Sequence, residues 1–550
     1  MDILDHWLEN DFFCSVNWWY NEIQTPLYMA RIGLCLLPWL TPKQKNKMDE
    51  IIGRGTLKGS AKATTYTGAN LTDMMHSTVL HGIFTDDPAL VLRAVQRVAE
   101  ELRVANGDSE GMQSDGSYFQ HGKFLSCAGS YGTVFVDGIL AFVTQLYGTM
   151  FSLPEEKIRF FIDNLLDGQR YFHRGLGTTY FSIGRSVVYA DGAARLLSAA
   201  QALSALDGIY RQKDLKVYAE SFSDFSKLPR IQKFFPYSYV LISSAPEYFM
   251  GVRGAHESVV LTEVINRQNL LGYNMSYGSN TCYMFTGDEY KSIGAVLDFC
   301  MFPGITTYRE DDASLLERYE REYNITWGKE TYAGAHCDGK TDVKTGLAAL
   351  YMELKNDGIT GNQAFILYNG IMIVLGSGLR CSKTENTLEI RTSLDQCKLD
   401  SASVGDCDLV LNAGAAAVAD GTRVRNGAFA YYNLGNGALT AVAETRQGSY
   451  SRTDSAKPEQ LQRADVFSLY ISHGTSLRAA SYAYAVVADA EHRAPPQAGE
   501  LPIRQIINSE KVQGVLFSDG HSVLVFHEGG SAILENGLTV CADKADIVIQ

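Results

Sequence analysis

The hydrophobic period of this chain changes once, and that change constrains its fold more than any other feature. Up to about residue 228, apolar residues recur at helical spacing; after about Pro229 they alternate. Thr41-Pro42 opens TPKQKNKMDEII with a capping residue followed by a proline at the first helical position. Asp87-Pro88 does the same for PALVLRAVQRVAEELRVANG. There Leu90, Ala94, Val95, Val98 and Leu102 share one face, and Gly107 is the expected end. Pro154 opens PEEKIRFFIDNLLDG, with Ile158, Phe161, Ile162 and Leu165 on one face. ARLLSAAQALSALDG and LKVYAESFSDFSKL follow. Gly-rich loops join these segments without a fixed repeat, so the expectation is an array of helical hairpins and not a regular solenoid.

Beyond Pro229 the pattern is that of strands. QAFILYNGIMIVLGSGL reads as two apolar strands around Asn369-Gly370, a strong hairpin signal. TLEIRTSL, AFAYYNLGNGALTAVAE, ADVFSLYISHG and SYAYAVVADA continue it. Many strands with Gly and Asn turns predict a large antiparallel β-sandwich. From about Leu501, QGVLFSDGHSVLVFHEGG reads as a small terminal β unit. The expected class is α+β multidomain: a helical domain over 1–228, a β-sandwich over 229–500 and a small C-terminal β domain over 501–550. A chain of 550 residues suits more than one domain.

Composition narrows the function. A fifth of the residues are charged and the net charge is −14, which argues against a nucleic-acid partner. An acidic ligand remains open, because a cleft on an acidic protein can be locally basic. No run approaches the ~20 apolar residues that cross a bilayer, so no membrane partner is expected. The N-terminus MDILDHWLENDFF has no basic n-region and is not a signal peptide. Ten Cys occur without a CxxC. Together these read as a reduced, cytoplasmic protein; a chain whose leader had been removed would be a secreted one.

Four polar-aromatic clusters stand out. The first is Asn17-Trp18-Trp19-Tyr20 with Glu22. Adjacent helical residues point ~100° apart, so the two indoles do not both face one core, and one is free to stack on a sugar ring. The second is Tyr66-Thr67-Gly68-Ala69-Asn70, then Asp73 and His76, in which an Asn after Gly reads first as a turn residue. The third is DGSYFQH, from Asp115 to His121, followed by Cys127-Ala128-Gly129-Ser130-Tyr131-Gly132. Here a His and a Tyr in one Gly-rich loop can reach the same substrate atom. The fourth is Gly184-Arg185-Ser186, whose guanidinium suits a carboxylate clamp.

In their order along the chain these words resemble polysaccharide lyase family 8, which contains hyaluronate, chondroitin AC and xanthan lyases. The matching words are NWWYNEIQTP, TGAN, DGSYFQH, GSYG, GRS, TEVINRQNLLGY, MFPGITT, VFSLYISHG and ASYAYAV. The resemblance implies an incomplete α/α toroid followed by a large antiparallel β-sandwich. It also implies a catalytic set: Asn70, His121, Tyr131, Arg185 and Glu263. Substrate contacts fall on Trp18, Trp19, Asn17 and Asn266. Three departures go with it. The His-to-Tyr spacing is one residue longer than usual. The position four residues after the GRS Arg holds Tyr189 where the family commonly has a second Arg, so Tyr189 is the expected replacement contact. The chain is also short, so the cleft is expected to be more open or to be completed by an oligomer.

The chemistry that the resemblance implies is removal of the proton at C5 of a uronate, with loss of the oxygen at C4. The carboxylate must be neutralised first, by Asn70 with His121 nearby. Tyr131 acts as base and then returns a proton to the leaving oxygen. A phenol near its ordinary pKa of ~10 is a poor base, so Arg185 is expected to favour the phenolate, and Glu263 to hold His121 or Arg185. No metal or cofactor is needed. The expected partner is an anionic polysaccharide or oligosaccharide, drawn into a groove made basic by Arg185, Lys123, Arg253 and Arg267. The alternatives are a lyase on another uronate polymer such as xanthan, a glycoside hydrolase with Asp115 as the nearest candidate acid, and a non-catalytic carbohydrate-binding protein.

Overall fold

The computed structural model describes the chain apart from residues 1, 106, 108, 122–127, 188–191, 279, 319–323, 338–345, 384–385, 405–408, 411, 413–416, 436–437 and 496. It divides into two compact units. One comprises residues 1–122, 131–170 and 194–219, and the other 123–130, 171–193 and 220–550.

The first unit is helical. Its helices are α1 (Asp2–Asn10), α2 (Thr25–Leu36), α3 (Pro42–Gly53), α4 (Gly68–Thr85), α5 (Pro88–Glu101), α6 (Tyr131–Leu146), α7 (Glu155–Asp167), α8 (Gly192–Ser204) and α9 (Gln212–Glu220). Thr41 closes a capping box with Gln44 at the start of α3, and the Asp87 side chain accepts from the Leu90 amide at the start of α5. The apolar face of α5 is buried through Leu90, Val91, Ala94, Val95 and Val98. α4 is apolar on most of its circumference because it packs on α2, α5 and α6 together.

Two sequence expectations change here. α5 stops at Glu101, well short of Gly107. The side chain of Glu101 is turned to another backbone amide, and Ala105 already pairs with Gln113. The segment TGAN is not a turn: Gly68 is the first residue of α4, and Asn70 sits in its first helical turn.

The second unit is built of antiparallel sheets. A four-stranded sheet joins Ile231–Phe235, Val240–Ala245, Tyr248–Arg253 and Asn280–Met284. A nine-stranded sheet has at its centre Leu347–Asn356, Ile359–Tyr368, Ile371–Cys381, Arg478–Ala488 and Phe429–Asn433. A five-stranded sheet carries Ile390–Lys398, Gln462–Ser472 and Leu439–Gly448. Asn369 and Gly370 both take left-handed φ, 48° and 72°, as a two-residue primed hairpin turn requires.

Period two sorts the side chains of the nine-stranded sheet. Phe365, Leu367, Met372 and Val374 face a core shared with Leu394, Phe467 and Leu469 of the five-stranded sheet. Ala364, Ile366, Ile373 and Leu375 face Val515, Phe517, Val523 and Val525 of a C-terminal four-stranded sheet. Because both faces are covered, FILYNGIMIVL reads as one apolar run instead of alternating apolar and polar.

Candidate active site

In the helical unit three sequence-predicted residues come from three different elements. Asn70 is half-buried on the first turn of α4. His121 follows the short strand Tyr118–Phe119 and has a left-handed φ of 56°. Tyr131 is the first residue of α6. The His121 and Tyr131 rings lie 4.7 Å apart between centroids, inclined at 63°. The longer spacing between them therefore does not separate the rings. A non-glycine residue at positive φ is strained, and such strain persists where the surroundings over-determine it.

Trp18 and Trp19 begin the helix that runs through a π-helical turn, Tyr20–Gln24, into α2. Asn17 caps this start, its side-chain oxygen accepting from the Trp19 amide at 3.0 Å. The Trp18 ring is 41 % exposed and stacks flat on Tyr66, with centroids 5.2 Å apart and an angle of 8°. One indole face is thus supported from beneath. Trp19 is half-buried and edge-on to Tyr20.

The face of α4 that carries Asn70 also carries Asp73 and His76. Burial and the neighbouring charge of Asp137 push the Asp73 carboxyl up to about 7. Burial, with the charge of Arg31, pulls His76 down to about 4, and its ring stacks on Phe142 at 4.9 Å. An acid whose pKa is raised in the folded state stabilises that state below its unfolded pKa, near 4, and the contribution is lost as the pH rises through 7. Asp73→Asn is therefore expected to melt higher than the parent at pH 8 and close to it at pH 4. His76 has the opposite sign, its contribution being lost as the pH falls from ~6.5 towards 4. Thermal melts at the two pH values check the first expectation, and equal differences at both would contradict it.

In the β unit, Arg185 follows Gly184 and is 11 % exposed. Its Nη1 donates to Glu263 Oε1 at 2.6 Å and its Nε to Gln268 Oε1 at 2.8 Å. Glu263 is fully buried on the strand Val260–Val264, which pairs with Asn324–Trp327. Residues 265–268 form a tight turn in which Asn266 and Arg267 have φ of 54° and 58°; both are exposed. Gln268, which holds the candidate residue Arg185, is singled out by no sequence pattern, although it lies in the word TEVINRQN.

Arg253 does not belong to a groove. Its guanidinium is buried and donates to the carbonyls of Phe181, Leu261 and Met275, and burial pulls it down to about 10. It ties loops to the four-stranded sheet and offers nothing to a ligand. Lys123 and Tyr189 lie outside the described residues. Asp115 accepts from the Ser117 amide and hydroxyl at 2.8 and 2.6 Å, a turn-holding role. Among the described residues no group of three His, Cys, Asp or Glu could hold a metal ion, and no helix is long and apolar enough to cross a membrane.

Comparison with known proteins agrees with this architecture. Residues 1–197 match the N-terminal α-helical domain of polysaccharide lyase family 8, and residues 231–497 match that family's super-sandwich domain. The chain is 26 % identical over 509 residues to a chondroitinase-AC of Pedobacter heparinus, covering 88 % of this chain and 67 % of that protein. It is 21 % identical over 524 residues to a hyaluronate lyase of Thermasporomyces composti, covering 86 % of this chain and 64 % of that one. It thus spans about two thirds of the length of these relatives.

Among solved structures, a chondroitinase AC lyase studied as enzyme–oligosaccharide complexes superposes with a TM-score of 0.86 at 22 % identity, over 99 % of this chain and 79 % of that one. A Paenibacillus xanthan lyase gives 0.80 at 19 %, over 99 % and 56 %. The fold is that of an incomplete α/α toroid with a large antiparallel β-sandwich.

Proposed function

The chain belongs to polysaccharide lyase family 8, and from that premise we propose that it cleaves a uronate-containing glycosaminoglycan of the hyaluronan or chondroitin type by β-elimination. The observation that carries this reading is the ring contact of His121 with Tyr131 in the unit that also holds Asn70 and an exposed, supported indole. A binding module needs the indole but not the His–Tyr pair. A hydrolase needs paired acids, and Asp115 is occupied in its own turn.

The chemistry follows from the charges. A uronate C5–H is weakly acidic, and removing its proton beside an ionised carboxylate builds a second negative charge on one group. Asn70 donates a hydrogen bond to the carboxylate, and His121 is its neighbour in this role. The Tyr131 phenolate takes the C5 proton. The electron pair forms the C4=C5 double bond, the C4–O bond breaks, and the Tyr131 hydroxyl gives its proton to the departing oxygen. No water enters the product. Arg185, held by Glu263 and Gln268, supplies a fixed guanidinium for an acidic sugar. Asn266 and Tyr189 are proposed as further contacts to the chain of sugars.

Trp18 is proposed as the platform for one sugar ring, with Trp19 and Asn17 shaping it. Trp18→Ala then raises KM by about fivefold, the equivalent of ~1 kcal/mol of ring contact, and leaves kcat within about twofold. Steady-state rates on a soluble oligosaccharide check this, and a fall in kcat at unchanged KM would contradict it.

The polymer itself is identified by ultraviolet absorbance on a panel of hyaluronan, unsulfated chondroitin, chondroitin sulfates, heparan sulfate and xanthan. The conjugated uronate absorbs, so a rise with hyaluronan or a chondroitin supports the reading. A rise with xanthan alone moves the substrate to another uronate polymer. New reducing ends without absorbance would mean hydrolysis and overturn it.

A further inference from the structure

We propose that Gln120, with Glu110 and Glu101, is a positioning residue for the reaction: a largely buried polar network locks the helix start that carries Asn70 to the strand end that carries His121. The inference rests on the elimination reading above, and all its members lie in the helical unit.

The network can be followed bond by bond. Gln120 precedes His121 and is almost wholly buried. Its Oε1 accepts from the Ala69 amide at 3.4 Å and from the Tyr118 hydroxyl at 3.1 Å. Its Nε2 donates to Glu110 Oε2 at 3.0 Å, and the same oxygen accepts from Thr67 Oγ1 at 2.8 Å. Glu101 Oε1 accepts from the Gly68 amide at 2.7 Å, while its other oxygen faces Arg97 Nη1 at 3.3 Å. Arg97 also donates to the Tyr66 carbonyl at 2.9 Å. Every residue from Tyr66 to Ala69, the approach to Asn70, is thus tied by a side chain from outside its own loop.

Chemistry fixes the orientation of the Gln120 amide. A carboxylate on one side demands a donor, and a backbone N–H on the other demands an acceptor. Neither Glu nor Met in that place does both. Gly68 is matched to the amide: its φ is +60°, and a Cβ there would come within 2.4 Å of Gln120 Oε1 and 2.6 Å of the Tyr118 hydroxyl. The Gly68 and Ala69 amides are among those left without partners at a helix N-terminus, so the network also caps α4, whose Thr67 makes no side-chain cap of its own. A misplacement of ~1 Å between two groups that must meet one carboxylate is enough to cost up to ~10²-fold in rate.

The test exploits the donor–acceptor pattern. Gln120→Glu keeps the acceptor for Ala69 but sets a carboxylate against Glu110. Glu110→Gln added to it restores the bonds named above: the new amide donates both to the introduced carboxylate and to Thr67, whose hydroxyl turns from donor to acceptor. We expect Gln120→Glu to lower kcat at least ~10-fold with KM within about twofold, and Glu110→Gln/Gln120→Glu to return within about threefold of the parent. Amide exchange at Gly68 and Ala69, read by mass spectrometry, should be slow in the parent, fast in Gln120→Glu and slow again in the double variant.

Parental kcat in Gln120→Glu, or a well-folded double variant with no recovery of kcat, would overturn the proposal. If Gln120→Glu does not fold, Thr67→Val replaces it, with a smaller loss of kcat expected and again no change in KM; parental kcat in Thr67→Val overturns the proposal. If the parent makes no unsaturated sugar from any polymer, the functional reading fails by itself. The exchange pattern still decides the network, and unchanged exchange in Gln120→Glu rejects it.

Discussion

Tyr131→Phe is expected to lower kcat by ~10²–10⁴-fold while KM changes little, because in the proposed mechanism one phenolic oxygen takes the C5 proton as phenolate and returns a proton to the leaving oxygen as hydroxyl. The substitution removes one oxygen and leaves the ring. The rings of Tyr131 and His121 lie 4.7 Å apart between centroids, and the substitution leaves that ring contact in place, so the start of α6 should keep its geometry. Substrate binding to the variant, measured by titration with an oligosaccharide, should therefore match the parent. A variant that keeps more than about a tenth of parental kcat would remove Tyr131 from the proton path.

The second large effect is on stability. Glu263 is fully buried and Arg185 nearly so, and they form a 2.6 Å ion pair. Glu263→Ala leaves a guanidinium desolvated opposite a void, a change that costs ~3–5 kcal/mol. Glu263→Gln keeps an acceptor for Nη1 and should cost less. Arg185→Met/Glu263→Leu removes both charges together and should recover most of the lost stability, since two apolar side chains satisfy a buried site that one stranded charge does not. Activity should separate from stability in this series: with Arg185 in its proposed role as the guanidinium for the acidic sugar, the double variant folds but stays impaired. Urea unfolding and initial rates on the same preparations check both halves. Full activity in the double variant would make the pair purely structural.

The architecture was legible because hydrophobic period is a local signal. The caps at Thr41 and Asp87 and the Asn369-Gly370 turn each act within a few residues, and each is matched by the structure. Helix ends were less legible. The sequence ELRVANG continues a helical pattern to Gly107, but Glu101 is recruited by the Gly68 amide, and α5 ends there.

The candidate site residues were legible only as ordered words, since an Asn, a His and a Tyr have no period to announce them. The groups that hold them were not legible at all. Glu101 meets Gly68, Gln120 meets Ala69 and Gln268 meets Arg185 across separations of 33, 51 and 83 residues, and such contacts leave no local pattern. Arg253 shows the converse: an arginine reads the same in sequence whether it faces a ligand or three backbone carbonyls.

The central claim, elimination and not hydrolysis, is tested most directly by the mass of the product. A purified oligosaccharide of hyaluronan or chondroitin is digested to completion, and the new non-reducing end is weighed by mass spectrometry. The account predicts fragments lighter by one water than the hydrolytic ones, carrying the C4=C5 double bond, formed at least ~10²-fold more slowly by Tyr131→Phe. Fragments with the full mass of a hydrolysed sugar would contradict it.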